Sequence, residues 1–168
     1  MFIQQTDLFS GMNKGFVKEV FDVTIKESFE KGDVLFSEGD EANHFYILLK
    51  GRIRLGTRET GQVVHTVSRP GEAFGWSSLV GRDVYSASAE CLIPTKLIRI
   101  DRDEFQRILE KDPTNGLVFF KRLAGALGER LISSYGALGL ARSSEDHRTY
   151  GSSLTLQQSS GETGESAQ

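Results

Sequence analysis

Gly71-Glu72-Ala73-Phe74-Gly75-Trp76-Ser77-Ser78-Leu79-Val80-Gly81-Arg82-Asp83-Val84-Tyr85-Ser86-Ala87-Ser88-Ala89 is the most informative stretch of the 168-residue chain. Gly71 and Gly75 stand four residues apart. Small hydroxyl residues and the apolar pair Leu79-Val80 follow, and the chain then returns to an alternating strand. Glycine lets backbone N–H groups turn inward and approach a ligand closely. A short helical turn opening after Gly75 would aim several N–H groups at one point, the geometry that holds an anion. A glycine-rich loop joining two strands is the plainer account of the same residues.

On either side of this stretch the apolar period is two, from Val23 to about Ile100. Phe45, Ile47, Leu49, Gly51, Ile53 and Leu55 fall on one face, with Arg52 and Arg54 on the other. Val63, His65 and Val67 repeat the pattern, as do Ala87, Ala89 and Cys91, and Leu97, Ile98 and Ile100 close it. Turn signals at Lys31-Gly32-Asp33, Glu38-Gly39-Asp40, Thr60-Gly61 and Arg69-Pro70-Gly71 separate the runs. Short alternating strands spaced by such turns predict a mainly β fold, a sandwich or jelly roll with a hollow between its sheets.

Gly32-Asp33, Glu38-Gly39-Asp40, Phe45 to Gly51 and Gly71 to Gly75 come in an order and spacing that resembles the cyclic nucleotide-binding domain of the catabolite-activator and fumarate-nitrate-regulator (Crp/Fnr-like) family. The resemblance covers roughly residues 7 to 138. It implies a double-stranded β-helix (jelly roll) barrel with N-terminal helices and a long C-terminal helix. It also implies a phosphate-binding cassette at Gly71 to Ala89, with Phe74, Gly75, Trp76, Ser77, Ser78, Tyr85, Ser86 and Ala87 as its ligand-facing residues. The implied ligand is a cyclic nucleotide or another anionic small molecule. Two positions depart from the family pattern. Directly after the second glycine the family carries a Glu that hydrogen-bonds the ribose 2′-hydroxyl; here stands Trp76. Before the Ser-Ala pair it carries an Arg that pairs with the cyclic phosphate; here stands Tyr85. Arg82 lies three residues earlier, out of register, and reads as a solvated loop charge.

A hydrogen bond to a charged group contributes about 1.5–3 kcal/mol. An anion buried without a cation also meets a desolvation penalty. Losing both partners therefore predicts cyclic AMP binding weakened by roughly a hundredfold or more. Two outcomes follow: a hollow closed by its own side chains, or one that takes a different ligand with an indole to stack on and a phenol to donate from.

Hydrophobic content of 38%, charged content of 26% and eighteen glycines suit one soluble domain of short strands. A net charge of −3 argues against a general nucleic-acid binder. The single cysteine, Cys91, lies in an alternating strand and reads as a buried, inert thiol. No basic, apolar leader and no run long enough to span a bilayer is seen, so the cytoplasm is the default compartment and no membrane contact is expected. His44, His65 and His147 have no metal-ligand spacing. Glu38, Asp40 and Glu41 read as a solvated turn, and Glu72 belongs to the turn at Gly71. No catalytic constellation is found, so no enzymatic activity is expected.

The flanks are helical. Leu8 and Phe9 can dock on the body; Phe16, Val17, Val20 and Phe21 recur at helical spacing, with Asn13 as cap. Asp101 with Glu104 makes a capping box for a short helix through Phe105, Ile108 and Leu109. Asp112-Pro113 restarts a helix whose Leu117, Phe120, Ala124, Leu127, Leu131 and Leu138 form a near-heptad seam. The stripe suits a homodimer, and packing back on the barrel is the competing use. Residues 1–140 form the domain, and 141–168, almost without apolar residues, read as a disordered tail. The tail cannot supply a helix-turn-helix, so the chain is not expected to bind DNA directly. Two functions fit. One is a small-molecule sensor that signals to a partner protein. The other is an interaction subunit that keeps the fold while Trp76 and Tyr85 pack the hollow.

Overall fold

The computed structural model describes residues 8–58 and 61–151, with side chains as far as residue 136. The segment before Leu8 and the tail beyond Gly151 lie outside the described residues. The chain divides into two compact units, Met1–Gly125 and Ala126–Gln168. In order it forms α1 (Lys14–Asp22), β1 (Thr24–Phe29), β2 (Val34–Phe36), β3 (His44–Lys50), β4 (Ile53–Gly56), β5 (Val63–Val67) and β6 (Ala73–Phe74). A 3-10 turn (Trp76–Leu79) leads to β7 (Ser88–Cys91), β8 (Thr95–Asp101), α2 (Arg102–Lys111) and α3 (Pro113–Gly151). The strands make two antiparallel four-stranded sheets, ordered β1-β8-β3-β6 and β2-β7-β4-β5. This is the jelly roll that the alternation predicts.

The phase of the longest apolar run is corrected. In β3, Phe45, Tyr46, Ile47 and Leu48 are all buried. Tyr46 and Leu48 join Phe36, Ile53, Leu55, Val67, Phe74, Tyr85, Ala89, Cys91 and Leu97 in the barrel core. Phe45 points the other way, its ring 4.9 Å from Phe105 and 6.3 Å from Phe119. Ile53 and Leu55 thus share a core with Tyr46, not with Phe45. The register of β3 on β8 shifts between Leu48 and Lys50, and Gly51, with φ 125°, then turns the chain from one sheet into the other, so the alternation is reset. On the opposite face of β4, Arg54 pairs with Glu90 of β7.

The helices start where the capping residues predict. Asn13 accepts from the Gly15 N–H at 2.7 Å. Asp101 accepts from the N–H groups of Asp103 and Glu104 at 2.9 and 3.0 Å, and Asp112 from that of Asn115 at 3.1 Å. Such caps satisfy donors that a helix cannot pair internally. Phe9, Phe105 and Phe119 pack edge-on or tilted with ring centroids 4.8–6.4 Å apart, roofing β3. Among the described residues of α3, Gly116, Phe119 and Leu123 are buried, whereas Leu117, Phe120, Ala124 and Leu131 of the expected seam are exposed. Leu127 is half-buried, and Leu138 lies beyond the described side chains. Gly116 packs against Leu109 of α2, where a Cβ would lie 3.4 Å from the Leu109 carbonyl oxygen, an ordinary contact distance. Helix α3 continues past residue 140 to Gly151.

Candidate ligand-binding site

The site is built where β6 ends. Phe74 pairs with Tyr46 of β3, and Gly75 then turns the chain with φ 73°, ψ 24° into the 3-10 turn. A side chain at residue 75 would put its Cβ 3.0 Å from the Tyr46 ring and 3.3 Å from the His44 carbonyl oxygen. Only glycine combines that backbone with that approach. The helical turn predicted after Gly75 is present. Ser77 and Ser78 are buried, and the Ser78 hydroxyl donates to the Gly75 carbonyl at 3.0 Å.

Leaving β3 at this point has a consequence for the strand. On this edge Leu48 donates to the Glu72 carbonyl at 3.0 Å and accepts from the Gly71 N–H at 2.7 Å. Two residues on, Tyr46 pairs with Phe74. The next pair of main-chain groups on the same edge belongs to His44, and the backbone that would meet it has turned away. The Tyr85 hydroxyl takes its place, donating to the His44 carbonyl at 2.6 Å and accepting from the His44 N–H at 3.2 Å. Buried main-chain groups without partners are costly, so one phenol replaces a missing strand residue.

The ring of Tyr85 fills the hollow. It stacks on Phe36 with centroids 3.8 Å apart and planes 18° from parallel. Tyr46 stacks on Phe36 at 5.5 Å and on Phe74 at 5.2 Å. What remains is a cavity of about 30 Å³, lined by Phe36, Leu55, Gly75, Trp76, Ser77, Tyr85, Ser86 and Ala87. That is about the volume of one water; small-molecule pockets run to about 300–1,000 Å³. Burial pushes the phenols of Tyr46 and Tyr85 above their ordinary pKa, so both stay neutral at physiological pH. Among the described residues that line the cavity there is no acid, base or guanidinium. Arg82 is exposed on its turn.

Six of the sequence-predicted residues, Gly75, Trp76, Ser77, Tyr85, Ser86 and Ala87, therefore meet around one space. Phe74 belongs to the aromatic wall, and Ser78 is spent on the turn. Tyr85 is buried, Trp76 and Ala87 are half-buried, and Ser86 is exposed. Phe36, Tyr46, Leu55 and the main chain of His44 are participants that the sequence reading did not single out. They sit on ordinary strands whose alternation marks them only as core. The residues set aside are engaged elsewhere: Glu72, its side chain 7% exposed, lies 2.7 Å from His65 and accepts from the Ser68 and Arg69 N–H groups. Asp40 and Glu38 accept from the backbone of Ser37 and Arg58. Cys91 is buried, and burial raises its thiol pKa, as an inert thiol requires.

Beside the hollow, on the Tyr46 face of the sheet, His44 accepts from Arg99 at 2.9 Å, and Arg99 also binds Glu27 at 3.0 Å. Burial first, and then the Arg99 charge, holds the His44 imidazole below its usual pKa.

This arrangement is that of a cyclic nucleotide-binding domain, and the chain belongs to that family, matching it over residues 26–112. It is 28% identical over 117 residues to human cGMP-dependent protein kinase 2; the match covers 63% of this chain and 14% of the kinase. The chain thus spans only a small part of that curated relative. Among solved structures it resembles the catabolite activator protein of Thermus thermophilus, with 26% identity, a TM-score of 0.64, and coverage of 82% of this chain and 63% of that one. It also resembles the regulatory domain of Toxoplasma gondii PKA bound to cAMP, with 26% identity, a TM-score of 0.59, and coverage of 64% and 41%. The Toxoplasma gondii neighbour is itself a regulatory domain. Among the described residues, no helix is long and apolar enough to cross a membrane.

Proposed function

We propose that the chain is a regulatory module whose hollow is closed to cyclic AMP and cyclic GMP by its own Tyr85, and that it signals through protein partners. The observation that carries this reading is the Tyr85 ring, stacked 3.8 Å from Phe36 and tied to His44, in the space where the family grips a phosphate. A phosphodiester entering there meets no cation among the described lining residues and must first expel a ring. Exposed apolar residues on α3 (Leu117 and Phe120 in the first unit; Leu131, Ile132 and Tyr135 in the second) support a homodimer or a partner seated on this helix. In this reading the module is cytoplasmic, has no catalytic role and does not itself contact DNA.

Trp76, the single tryptophan, lines the cavity and reports on it. Titration of cyclic AMP and cyclic GMP should leave its fluorescence and the melting temperature unchanged. A micromolar response to either nucleotide refutes the proposal.

A further inference from the structure

Resting on that reading, we propose that the hollow is a binding site for a neutral hydroxyaromatic ligand of the phenol class, with the Tyr85 side chain as its tethered equivalent. The site has the parts such a ligand needs. Phe36 supplies a flat stacking face 3.8 Å from the ring centroid, and Phe74 and Tyr46 wall the space with near-parallel rings. At the far end one main-chain carbonyl and one N–H, both from His44, converge on a single hydroxyl. A phenol is donor and acceptor at the same atom and satisfies both groups at once. An anion finds no countercharge among the lining residues, and a plain hydrocarbon leaves the two His44 groups unpaired.

The plug can leave without dismantling the barrel. The Tyr85 backbone is held independently of its ring: its N–H donates to the Asp40 carbonyl at 2.9 Å, and its carbonyl accepts from the Gly39 N–H at 3.0 Å. Vacating the space therefore asks for movement of the side chain and not for rupture of these main-chain bonds. The vacated volume plus the existing cavity of about 30 Å³ approaches the roughly 150 Å³ apolar cavity that accommodates benzene. A ring on a short tether has an effective concentration in the millimolar range or above. A free ligand must outcompete it, and in doing so turns Tyr85 out of the hollow. That displacement is the signal a partner could read.

The test compares p-cresol with toluene, rings of the same shape with and without the hydroxyl, by calorimetry on the full chain and on its Tyr85→Ala variant. The variant should bind one p-cresol, at least tenfold more tightly than toluene. The unaltered chain should bind p-cresol at least tenfold more weakly than the variant. Equal affinities for p-cresol and toluene, or no binding by a variant that circular dichroism shows to be folded, overturn the inference. If the variant does not fold alone, it should refold with p-cresol and not with toluene; failure of that rescue overturns the inference equally. The nucleotide titration of the unaltered chain is separate. A cyclic AMP response there refutes the proposed function, whereas failure of p-cresol with no cyclic AMP response refutes this inference alone.

Discussion

Replacing Tyr85 by Phe isolates the hydroxyl from the ring. The substituted ring keeps its stack on Phe36, so the barrel core is unchanged in volume. What is lost is one hydrogen bond given at 2.6 Å and one received at 3.2 Å, both with His44, together with the interaction between the Tyr85 and Tyr46 hydroxyls. A buried polar group left without a partner costs about 1–3 kcal/mol. His44 is half-buried and the strand edge is partly reached by water, which sets both groups at the low end, about 2 kcal/mol together. For a chain of this size each kcal/mol moves the melting temperature by about 2–4 °C, giving a fall of about 4–8 °C. Calorimetric melts of the two proteins at one pH and concentration make the measurement. Tyr85→Ala, which also empties the ring's volume, should cost about 3–5 kcal/mol, as large-to-small core substitutions do. If Tyr85→Phe melts within about 1 °C of the unaltered chain while Tyr85→Ala falls as stated, the hydroxyl is not holding the β3 edge, and the account of the site fails.

Other consequences are as direct. The His44 pKa is depressed in the folded protein, so near its usual value of 6.5 the unfolded chain binds more protons. Stability should therefore be full above pH 6.5 and decline as the pH falls through that value toward the lower folded one; His44→Gln should flatten this slope in urea titrations across the range. Trp76→Glu with Tyr85→Arg restores both groups of the family pattern. Each charged hydrogen bond contributes about 1.5–3 kcal/mol, so cyclic AMP affinity should rise by roughly a hundredfold or more, and equilibrium dialysis showing no gain in a folded double variant would contradict the alignment of the cassette. Gly75→Ala forces a left-handed backbone and a Cβ 3.0 Å from the Tyr46 ring, and should lower the urea midpoint by an amount equivalent to about 1–3 kcal/mol.

Local rules carried the reading furthest where chemistry and geometry are both local. The caps at Asn13, Asp101 and Asp112 each place a side-chain acceptor within three residues of its donor, and such spacing is visible in a string of letters. Gly75 and the turn after it were legible for the same reason. The phase of β3 against β4 was not, because a register shift after Leu48 and the turn at Gly51 lie inside an unbroken alternation. Nor was the double burial of β3, since the Phe9, Phe105 and Phe119 rings that cover its second face come from distant segments. At the site, the substitutions Trp76 and Tyr85 stood out against the family pattern. What Tyr85 does there required knowing that His44, forty-one residues earlier, has an unpaired edge.

The burial of β3 on both sides bears on how the protein breathes. Tyr46 and Leu48 are packed into the barrel, Phe45 under the helical layer, and the two sets alternate along one backbone. Local fraying of either layer strips a single side of the strand and leaves its ladder to β8 intact. The amide protons of β3 should then exchange with deuterium only through global unfolding, and the protection at Ile47 should equal the full stability of the first unit.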